Sequence, residues 1–387
     1  MRVDIVTESL GKICDVRDGT HDSPKYVENG FYLLTSKNFS SGKISYEGAN
    51  KISIEDYNAI NKRSKVDIGD IVMPMIGTIG SPVIISQESN FAIKNVALIK
   101  RNENVCMNYI CAFLASSFFE KAIKSSKRGG TQKFVSLGDL RNLKLPLPPI
   151  AEQKRIAEIL DRTQSLISKR KEAIAQLDTL TQSIFLEMFG DPVTNPKGLG
   201  IKKFKDIGTL DRGVSKHRPR NAPELLGGIY PLIQTGDVAN CGGYIRQYQS
   251  TYSEIGLRQS KMWRSGTLCI TIAANIAKTG ILTFDSCFPD SVVGFLSEDL
   301  ATIEFVRVWL SFLQKTLEET APESAQKNIN LAILRDLNVP FPPLPLQKEF
   351  AQRVEAVEKL KATHRASLSQ LQALFASLQH RAFRGEL

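Results

Sequence analysis

The chain has 387 residues, which suffices for two or three domains of about 150 residues each. Hydrophobic residues make up 42% and charged residues 23%, a balance that is typical of globular proteins and excludes a disordered chain. Lys and Arg number 50 against 40 Asp and Glu. The net charge of +10 favours an anionic partner such as nucleic acid, although a merely basic protein stays an alternative on charge alone.

Composition also bears on where the protein works. The six cysteines show no Cys-x-x-Cys spacing, and in a chain of this length we expect reduced thiols of a cytosolic protein. The first ten residues carry Asp4 and Glu8 and lack a long apolar run, so no secretory signal is predicted there. The most apolar stretches, near residues 68–79 and 267–277, are too short and too interrupted for a membrane span.

Both halves of the chain begin with regions of predicted mixed α and β structure. Short apolar runs bounded by Gly, Pro, Asn and Ser predict strands at Ile71–Ile76 and Pro82–Ile85, and in the second half at Cys269–Ile272. Amphipathic patterns predict helices at Tyr109–Lys124 and Glu304–Leu317.

Each half ends in a long predicted helix that follows a proline-rich hinge. Residues 151–188 contain neither Gly nor Pro. The double proline before each helix predicts a sharp start, and Gly190 with Pro192 predicts the end of the first helix. Alternating steps of four and three residues define a heptad seam in both helices. Its members are Ile156, Leu160, Thr163, Ile167, Arg170, Ile174, Leu177, Thr181, Ile184 and Met188 in the first helix, and Phe350, Val354, Val357, Lys361, His364, Leu368, Leu371, Phe375, Leu378 and Ala382 in the second.

The connectivity predicts that the two long helices form an antiparallel coiled coil. About 40 residues give a rod of roughly 60 Å, and the second helix leaves the second domain near the place where the first enters it. Pairing residues whose numbers sum to 538 sets Ile174 opposite His364 and Leu177 opposite Lys361. Each polar seam residue then lies along an aliphatic one with its head in water. The alternative is that each helix packs on its own domain.

The chain is a tandem duplication. Residues 131–155 and 325–349 align without a gap at an offset of 194, half the chain length, with 11 of 25 positions identical. The identical pairs include Gln132/Gln326, Lys133/Lys327, Leu140/Leu334, Arg141/Arg335, Pro146/Pro340, Pro148/Pro342, Pro149/Pro343 and Gln153/Gln347. Weaker matches relate Gly69-Asp70-Ile71 to Gly266-Thr267-Leu268, and Thr78-Ile79-Gly80 to Lys278-Thr279-Gly280. We expect one fold in two copies whose surfaces differ.

Sequence motifs of common enzymes are missing. The chain has no P-loop, no Gly-x-Gly-x-x-Gly after a strand, no His-Glu-x-x-His, no zinc spacing and no Asn/Asp-Pro-Pro-aromatic motif. Glu152-Gln153-Lys154 has a nuclease-like Glu-x-Lys spacing, but it lies at a helix start and repeats as Leu346-Gln347-Lys348. These absences favour a binding module over an enzyme.

Positive charge concentrates in polar loops at matching places of the two halves. Residues 121–133 carry five Lys or Arg and no acid, and residues 202–220 carry seven against two Asp. Near the front of each domain, VRDGTHDSPKY at 16–26 and LDRGVSKHRPR at 210–220 join Arg and Lys to Ser, Thr or His. Such residues contact guanine edges and phosphates, and Asn and Gln contact adenine. The alternative for any single loop is that it is a solvent-exposed basic segment with no binding role.

The motifs resemble the specificity (S) subunits of type I restriction–modification systems. The resemblance rests on the hinges LPLPPIAEQ (145–153) and VPFPPLPLQ (339–347), and on the helix endings FLEMFGDP (185–192) and AFRGEL (382–387). GTHDSPKY (19–26), LLTSKN (33–38) and MIGTIG (75–80) resemble one type of target-recognition domain. The second hinge departs from the pattern, since Pro345-Leu346 replaces Ala151-Glu152.

The resemblance implies an α+β fold in which an antiparallel two-helix coiled coil separates two target-recognition domains of mixed α/β structure. The predicted bounds are 1–149 and 191–343 for the domains, and 150–190 and 344–387 for the spacer helices. The implied partners are double-stranded DNA, two methyltransferase (M) subunits and restriction (R) subunits. The implied S-adenosylmethionine cofactor belongs to the M subunits, and this chain is expected to bind no cofactor and no metal and to have no catalytic residue.

Together the loops and the resemblance give the candidate DNA-binding residues. In the first half they are Arg17, Thr20, His21, Ser23, Lys25, Ser36, Lys37, Asn38, Thr78, Lys127, Arg128, Gln132 and Lys133; in the second they are Arg212, Ser215, Lys216, His217, Arg218, Arg220, Gln234, Thr235, Asn275, Lys278, Gln326, Lys327 and Asn328. We expect a cytoplasmic, nucleoid-associated protein of a bacterium or archaeon that reads a bipartite, asymmetric site. The alternatives are a stand-alone two-headed DNA-binding regulator and an enzyme with an unrecognised site.

Overall fold

The computed structural model describes residues 6–40, 42–76, 81–126, 134–273, 276–320 and 329–387. The chain divides into two compact units, which are Met1–Lys171 with Ala366–Leu387, and Glu172–Arg365. Both units combine strands with helices, which confirms the predicted α+β class. No helix within the described ranges is long and apolar enough to cross a membrane.

The first unit contains short strands and helices. Its described strands are β1 (Val6–Ser9), β2 (Val16–Asp18), β3 (Tyr26–Val27), β4 (Phe31–Leu34), β5 (Phe39–Ser40), β6 (Lys43–Ile44), β7 (Asn50–Ile52), β8 (Ile71–Pro74), β9 (Val83–Ile84), β10 (Phe91–Ile93), β11 (Val96–Ile99) and β12 (Lys144–Leu147). Its described short helices are α1 (Leu10–Ile13), α2 (Ile54–Ser64), α3 (Met107–Leu114), α4 (Ser117–Ser126) and α5 (Leu137–Asn142). The long helix α6 (Ile150–Phe189) begins in this unit and ends in the second.

The second unit has a similar inventory. Its described strands are β13 (Ile201–Lys203), β14 (Thr209–Arg212), β15 (Leu226–Leu232), β16 (Gly243–Ile245), β17 (Ser250–Tyr252), β18 (Met262–Trp263), β19 (Leu268–Thr271), β20 (Thr279–Leu282), β21 (Ser286–Cys287), β22 (Val292–Leu296) and β23 (Asn338–Pro340). Its helices are α7 (Thr235–Asn240), α8 (Glu254–Arg258), α9 (Leu300–Thr320) and α10 (Leu331–Asp336). The long helix α11 (Leu344–Ala382) begins here and ends in the first unit.

The two units share the central strands of both sheets, which agrees with the duplication, and they differ in the outer strands β3, β16 and β18. One sheet has the order β2-β11-β8-β9 in the first unit and β14-β22-β19-β20-β16 in the second. In the other sheet, β4 pairs in parallel with β10 and antiparallel with β7, and β15 pairs in the same way with β21 and β17. The antiparallel pairs β1-β12 and β13-β23 also correspond.

A repeated turn shows how weak sequence similarity marks equivalent backbone. Gly69 and Gly266 have φ values of +88° and +85°, a left-handed conformation that glycine adopts without a steric cost. Their amides donate to the carbonyls of Ile85 and Leu282, each at 2.8 Å. The predicted match of Gly69-Asp70-Ile71 with Gly266-Thr267-Leu268 is therefore confirmed.

The glutamine repeated in the two hinges is a structural clamp. Gln153 and Gln347 are 2% and 0% exposed. Their Nε2 groups donate to the carbonyls of Pro148 and Pro342, in both cases at 2.7 Å. The Oε1 of Gln153 accepts from the Cys106 amide, and that of Gln347 accepts from the Thr302 hydroxyl. Each clamp ties the hinge to the start of its long helix and to the preceding helical region.

Substituting this buried amide has a predicted cost. We expect Gln347→Ala to lower the free energy of unfolding of the second unit by about 1–3 kcal/mol, because it leaves buried hydrogen-bonding groups without partners. Urea unfolding followed by tryptophan fluorescence measures this, since both tryptophans, Trp263 and Trp309, lie in the second unit. Gln352→Ala, at an exposed position of the same helix, is the control. Equal losses in the two variants would contradict the clamp.

The repeated arginine joins the hinge region to the first strand of the large sheet. Arg141 Nη2 donates to the carbonyl of Val16, and Arg335 Nη2 donates to that of Leu210, both at 2.7 Å. Donor and acceptor are each displaced by 194 residues between the copies. These two repeated residues therefore serve the fold.

Twelve of the twenty predicted seam residues are buried, and the other eight are half-buried: Arg170, Ile174, Leu177, His364, Leu368, Leu371, Phe375 and Leu378. Within the first unit, Ile156 and Leu160 of α6 share a core with Ala382 of α11. Within the second, Ile184 of α6 packs in one core with Phe350 of α11. In each unit the late part of one helix therefore meets the early part of the other, as an antiparallel pairing requires. The predicted helix end is also confirmed, because α6 stops at Phe189 before Gly190, whose φ is +78°.

One seam residue behaves differently from the expectation. Lys361 is 2% exposed, so its head does not reach water as predicted. Its Nζ lies 2.8 Å from both Asp178 Oδ1 and Glu358 Oε1, which together neutralise the buried ammonium. Asp178 is the neighbour of Leu177, which the predicted register sets opposite Lys361.

The helix predicted at Tyr109–Lys124 is interrupted. The structure has α3 up to Leu114 and α4 from Ser117. Ser116 lies in the break, is 1% exposed, and its hydroxyl donates to the carbonyl of Phe113 at 2.6 Å. A serine hydroxyl competes for backbone hydrogen bonds in this way, and periodicity alone does not register it.

Candidate nucleic-acid interface

The polar loop that follows β2 is fastened to the chain between β10 and β11. The Gly19 amide donates to Val96 O and the Thr20 amide to Ile93 O, each at 3.0 Å. A Cβ at Gly19 would lie 2.2 Å from Ile93 O, so only glycine permits this approach. The contact holds the loop of residues 19–25 against the edge of the unit.

The loop that follows β14 in the second unit has the same attachment. The Gly213 amide donates to Val292 O at 2.8 Å, and the Val214 amide donates to Phe288 O at 3.1 Å. A Cβ at Gly213 would lie 2.3 Å from Phe288 O. The two candidate loops thus leave equivalent strands through equivalent glycines, 194 residues apart.

His21 occupies the centre of the first loop and is held on both sides of its ring. Its Nδ1 lies 2.7 Å from Asn95 Oδ1 and its Nε2 lies 2.7 Å from Asp18 Oδ2. Two hydrogen bonds raise the pKa of His21. The larger contribution comes from Asn95 and the next from Asp18. Asp18 is buried and is also paired with Arg63. Both ring nitrogens of His21 hold the loop, and the contact of its exposed ring with DNA stays a prediction.

The His21 pKa is open to a direct test. The protonated ring donates to both oxygens, so the anchoring is fully present below the ordinary histidine pKa of about 6.5 and is lost as the pH rises through the raised pKa. We expect Asn95→Gly to lower the His21 pKa in an NMR titration, because it removes the amide while glycine accommodates the φ of +55°. Ser23→Ala removes a hydroxyl that binds Lys94 instead and is the control. An unchanged pKa in Asn95→Gly would contradict the assignment.

The other candidate DNA-binding residues of the first unit differ in how far their side chains are exposed. Lys25 and Lys37 are exposed, whereas Asn38 is 4% exposed and its side chain is bonded within the unit, so its base contact stays a prediction that its burial does not support. Its Oδ1 accepts from the Thr35 amide at 2.9 Å, and its Nδ2 donates to Ser45 O at 2.9 Å. The remaining described candidates of this unit are partly or fully exposed: Arg17, Thr20, Ser23 and Ser36.

Three arginines of the second loop converge on Asp290. Arg212 Nε donates to its carbonyl at 2.9 Å, Arg218 Nη2 lies 3.3 Å from Oδ2, and Arg220 Nη2 lies 2.5 Å from Oδ1. The carboxylate pairs with two guanidinium groups and the backbone carbonyl holds the third, so a positive excess remains at an exposed surface. Such an arrangement suits phosphate oxygens, which accept from guanidinium groups.

The centre of the same loop is held by Gln259. Its Oε1 accepts from the amides of Lys216 and His217, at 2.7 and 3.1 Å. The Lys216 side chain is exposed and the His217 side chain is partly exposed. Ser215 is 6% exposed, so its contact with DNA stays a prediction that its burial does not support.

Further candidates lie at the start of α7 and beside β20. Gln234 is the exposed N-cap residue of α7 and Thr235 is its first residue. Lys278 is partly buried and lines a cavity together with Lys361 and Arg307. The candidates outside the described residues are Thr78, Lys127, Arg128, Gln132, Lys133, Asn275, Gln326, Lys327 and Asn328, and they stay predictions.

The residues that position these loops were missed by sequence reasoning. Asn95 and Lys94 reach loop residues more than 70 positions earlier, and Gln259 and Asp290 reach loop residues more than 40 positions earlier. No local pattern signals such contacts. In the described part of the chain, no group of three or more His, Cys, Asp or Glu could hold a metal ion.

Comparisons with known proteins agree with this architecture. The family model described as "Type I restriction modification DNA specificity domain" matches residues 3–177 and 196–373. The specificity subunit of the type I restriction enzyme EcoBI from Escherichia coli is 28% identical over 302 residues, which covers 69% of this chain and 63% of that protein.

Two solved structures share the fold. The S subunit of a type I restriction–modification system from M. genitalium has a TM-score of 0.57 at 13% identity, over 98% of this chain and 96% of that chain. A chain from a structure described as the basis of complex assembly and conformational transition of the type I R-M system has a TM-score of 0.57 at 19% identity, over 99% and 98% of the two chains.

Proposed function

The chain belongs to the type I restriction modification DNA specificity family, and we propose that it reads a bipartite, asymmetric DNA site with one block for each of its two units. The observation that carries this proposal is the repetition of one fold under two different polar surfaces. Both loops follow equivalent strands and attach at equivalent glycines, yet one presents THDSPK and the other VSKHRPR. Equivalent frames with different side chains suit two different sequence blocks in one site.

The proposed division of labour follows from charge. The arginines around Asp290 suit phosphate contacts, which position a protein on the duplex. The exposed Lys25, Lys37 and Lys216 remain candidates for base edges or phosphates. Counterion release makes such contacts salt-dependent, so the affinity should fall steeply as salt rises.

We further propose that this chain is the non-catalytic part of a larger assembly. In that assembly two methyltransferase subunits carry S-adenosylmethionine, restriction subunits join them, and α6 and α11 form the platform. Support comes from the family match and from the similar structure, which is described as the basis of complex assembly of the type I R-M system. The relatives reported above give no support to a stand-alone regulator.

Sequencing of methylated adenines in the source genome tests the proposal. We expect one bipartite motif with unequal blocks and a fixed gap, which disappears when this chain is deleted. Restoring the chain should restore the motif. Tight specific binding without any methylation that depends on the chain would support the regulator, and methylation or cleavage by the purified single chain would establish an enzyme.

A further inference from the structure

A polar groove in the second unit lies beyond the loop that the sequence singled out. It has a volume of about 520 Å³ and is lined by the turn between β16 and β17 together with α7 and Arg365. Gln234 lines this groove and also a neighbouring one of about 210 Å³, which Arg220 borders. The groove is therefore connected, through Gln234, to the arginine cluster around Asp290.

Alternate side chains of the turn are anchored. The Arg246 guanidinium lies over the Tyr244 ring, 4.9 Å from its centroid, and its Nη2 lies 3.3 Å from Glu358 Oε2. The Tyr248 ring contacts Phe284 edge-on, with 5.3 Å between the centroids. These contacts hold the turn in place.

The two glutamines that alternate with Arg246 and Tyr248 in the sequence make no such contacts. Gln247 and Gln249 are exposed, and within the described ranges neither side-chain amide has a hydrogen-bond partner. The two free amides lie beside the anchored side chains of Arg246 and Tyr248, which also line the groove. Both amides line the groove.

The groove differs from the arginine cluster in charge. Its cations Arg246 and Arg365 both face the carboxylate of Glu358, and Asp237 also lines the groove. The two arginines and the two carboxylates nearly cancel in charge, so the groove has no strong attraction for phosphates. Two free carboxamides on an anchored turn in a nearly neutral groove suit base edges, since Gln pairs with the N6 and N7 atoms of adenine.

We propose that Gln247 and Gln249 read base edges in one block of the DNA site, and that Glu358 of α11 is a positioning residue that holds Arg246 and hence the turn. The inference rests on the proposed function and extends it to residues outside the predicted loops. The arginines around Asp290 hold the backbone of the duplex, and the groove beside them reads the bases.

The experiment selects bound duplexes from a random library with the full chain, its Gln247→Ala/Gln249→Ala variant, and a Gln352→Ala control that removes an exposed amide elsewhere in the second unit. We expect the double variant to lose about tenfold preference at one or two positions of one block, with the other block unchanged. The control should select the wild-type motif. Tryptophan fluorescence on urea unfolding should be the same in all three proteins.

The outcomes separate the inference from the proposed function. If the wild type selects a bipartite motif and the double variant selects the same motif with the same preferences, the groove does not read bases. Equal weakening of both blocks would also overturn the inference, because base reading acts on one block. If the wild type enriches no sequence, the proposed function fails and the inference fails with it.

The role of Glu358 has its own readout. We expect Glu358→Gln to relax the same positions as the double variant, since a neutral amide holds Arg246 less tightly. A purely structural role would lower the stability of the second unit and leave the selected motif unchanged, which would contradict the positioning role.

Discussion

Inserting one heptad into each long helix is expected to lengthen the preferred gap between the two DNA blocks by about three base pairs. Seven helical residues add about 10 Å, and each base pair adds about 3.4 Å along the duplex. The boundary between the compact units falls after Lys171 in α6 and after Arg365 in α11, so these are the matched insertion points. A heptad preserves the seam of both helices.

The measurement is a selection from duplexes that carry every gap length between the two blocks. Three base pairs also turn one block by about 100° around the duplex axis, so the library must leave the gap free. The blocks themselves should stay the same. Inserting the heptad into α6 alone is the control, and it should disrupt the pairing of the helices. An unchanged gap in the double insertion would show that the two helices do not set the distance between the blocks.

The largest expected loss of stability comes from Phe185→Ala. Phe185 is 1% exposed, and its ring lies 5.0 Å from the centroids of Phe189 and Phe312 and 5.7 Å from that of Phe350. Removing the ring loses buried apolar area and leaves a cavity where α6, α9 and α11 pack within the second unit. We expect the free energy of unfolding of this unit to fall by about 3–5 kcal/mol.

Tryptophan fluorescence during urea unfolding measures this loss in the second unit. Leu180→Ala changes a side chain of α6 that is 43% exposed, and it should alter the free energy of unfolding by no more than about 0.5 kcal/mol. A loss below about 1 kcal/mol in Phe185→Ala would show that the ring cluster does not hold the helices.

The loops illustrate where sequence reasoning stops at the candidate site. It placed polar loops after matching strands, because composition and order along the chain carry that information. It could not separate Lys37, which is exposed, from Asn38, which is buried and bonded to the backbone of Thr35 and Ser45. Both residue types occur in DNA interfaces, and only the path of the chain decides which of two neighbours faces solvent.

The repeated hinge shows that sequence identity between the copies can mark a residue without revealing its role. Identity between the copies marked Gln153 and Gln347 as important, yet only the structure shows that both amides are buried clamps. The groove of Gln247 and Gln249 escaped notice altogether. Its walls come from α7, the turn after β16 and α11, which are far apart in the chain.

The sequence by itself determined the duplication, the α+β class, the two long helices and their seam. Each of these features follows from the internal sequence repeat or from the periodic spacing of apolar residues along the chain. The tertiary structure decided which side chains are free. Lys361 looked like an exposed seam residue, but Asp178 and Glu358 meet it from two helices and allow its burial. Charge and exposure depend on partners that lie far apart in the chain, and only folding brings such partners together.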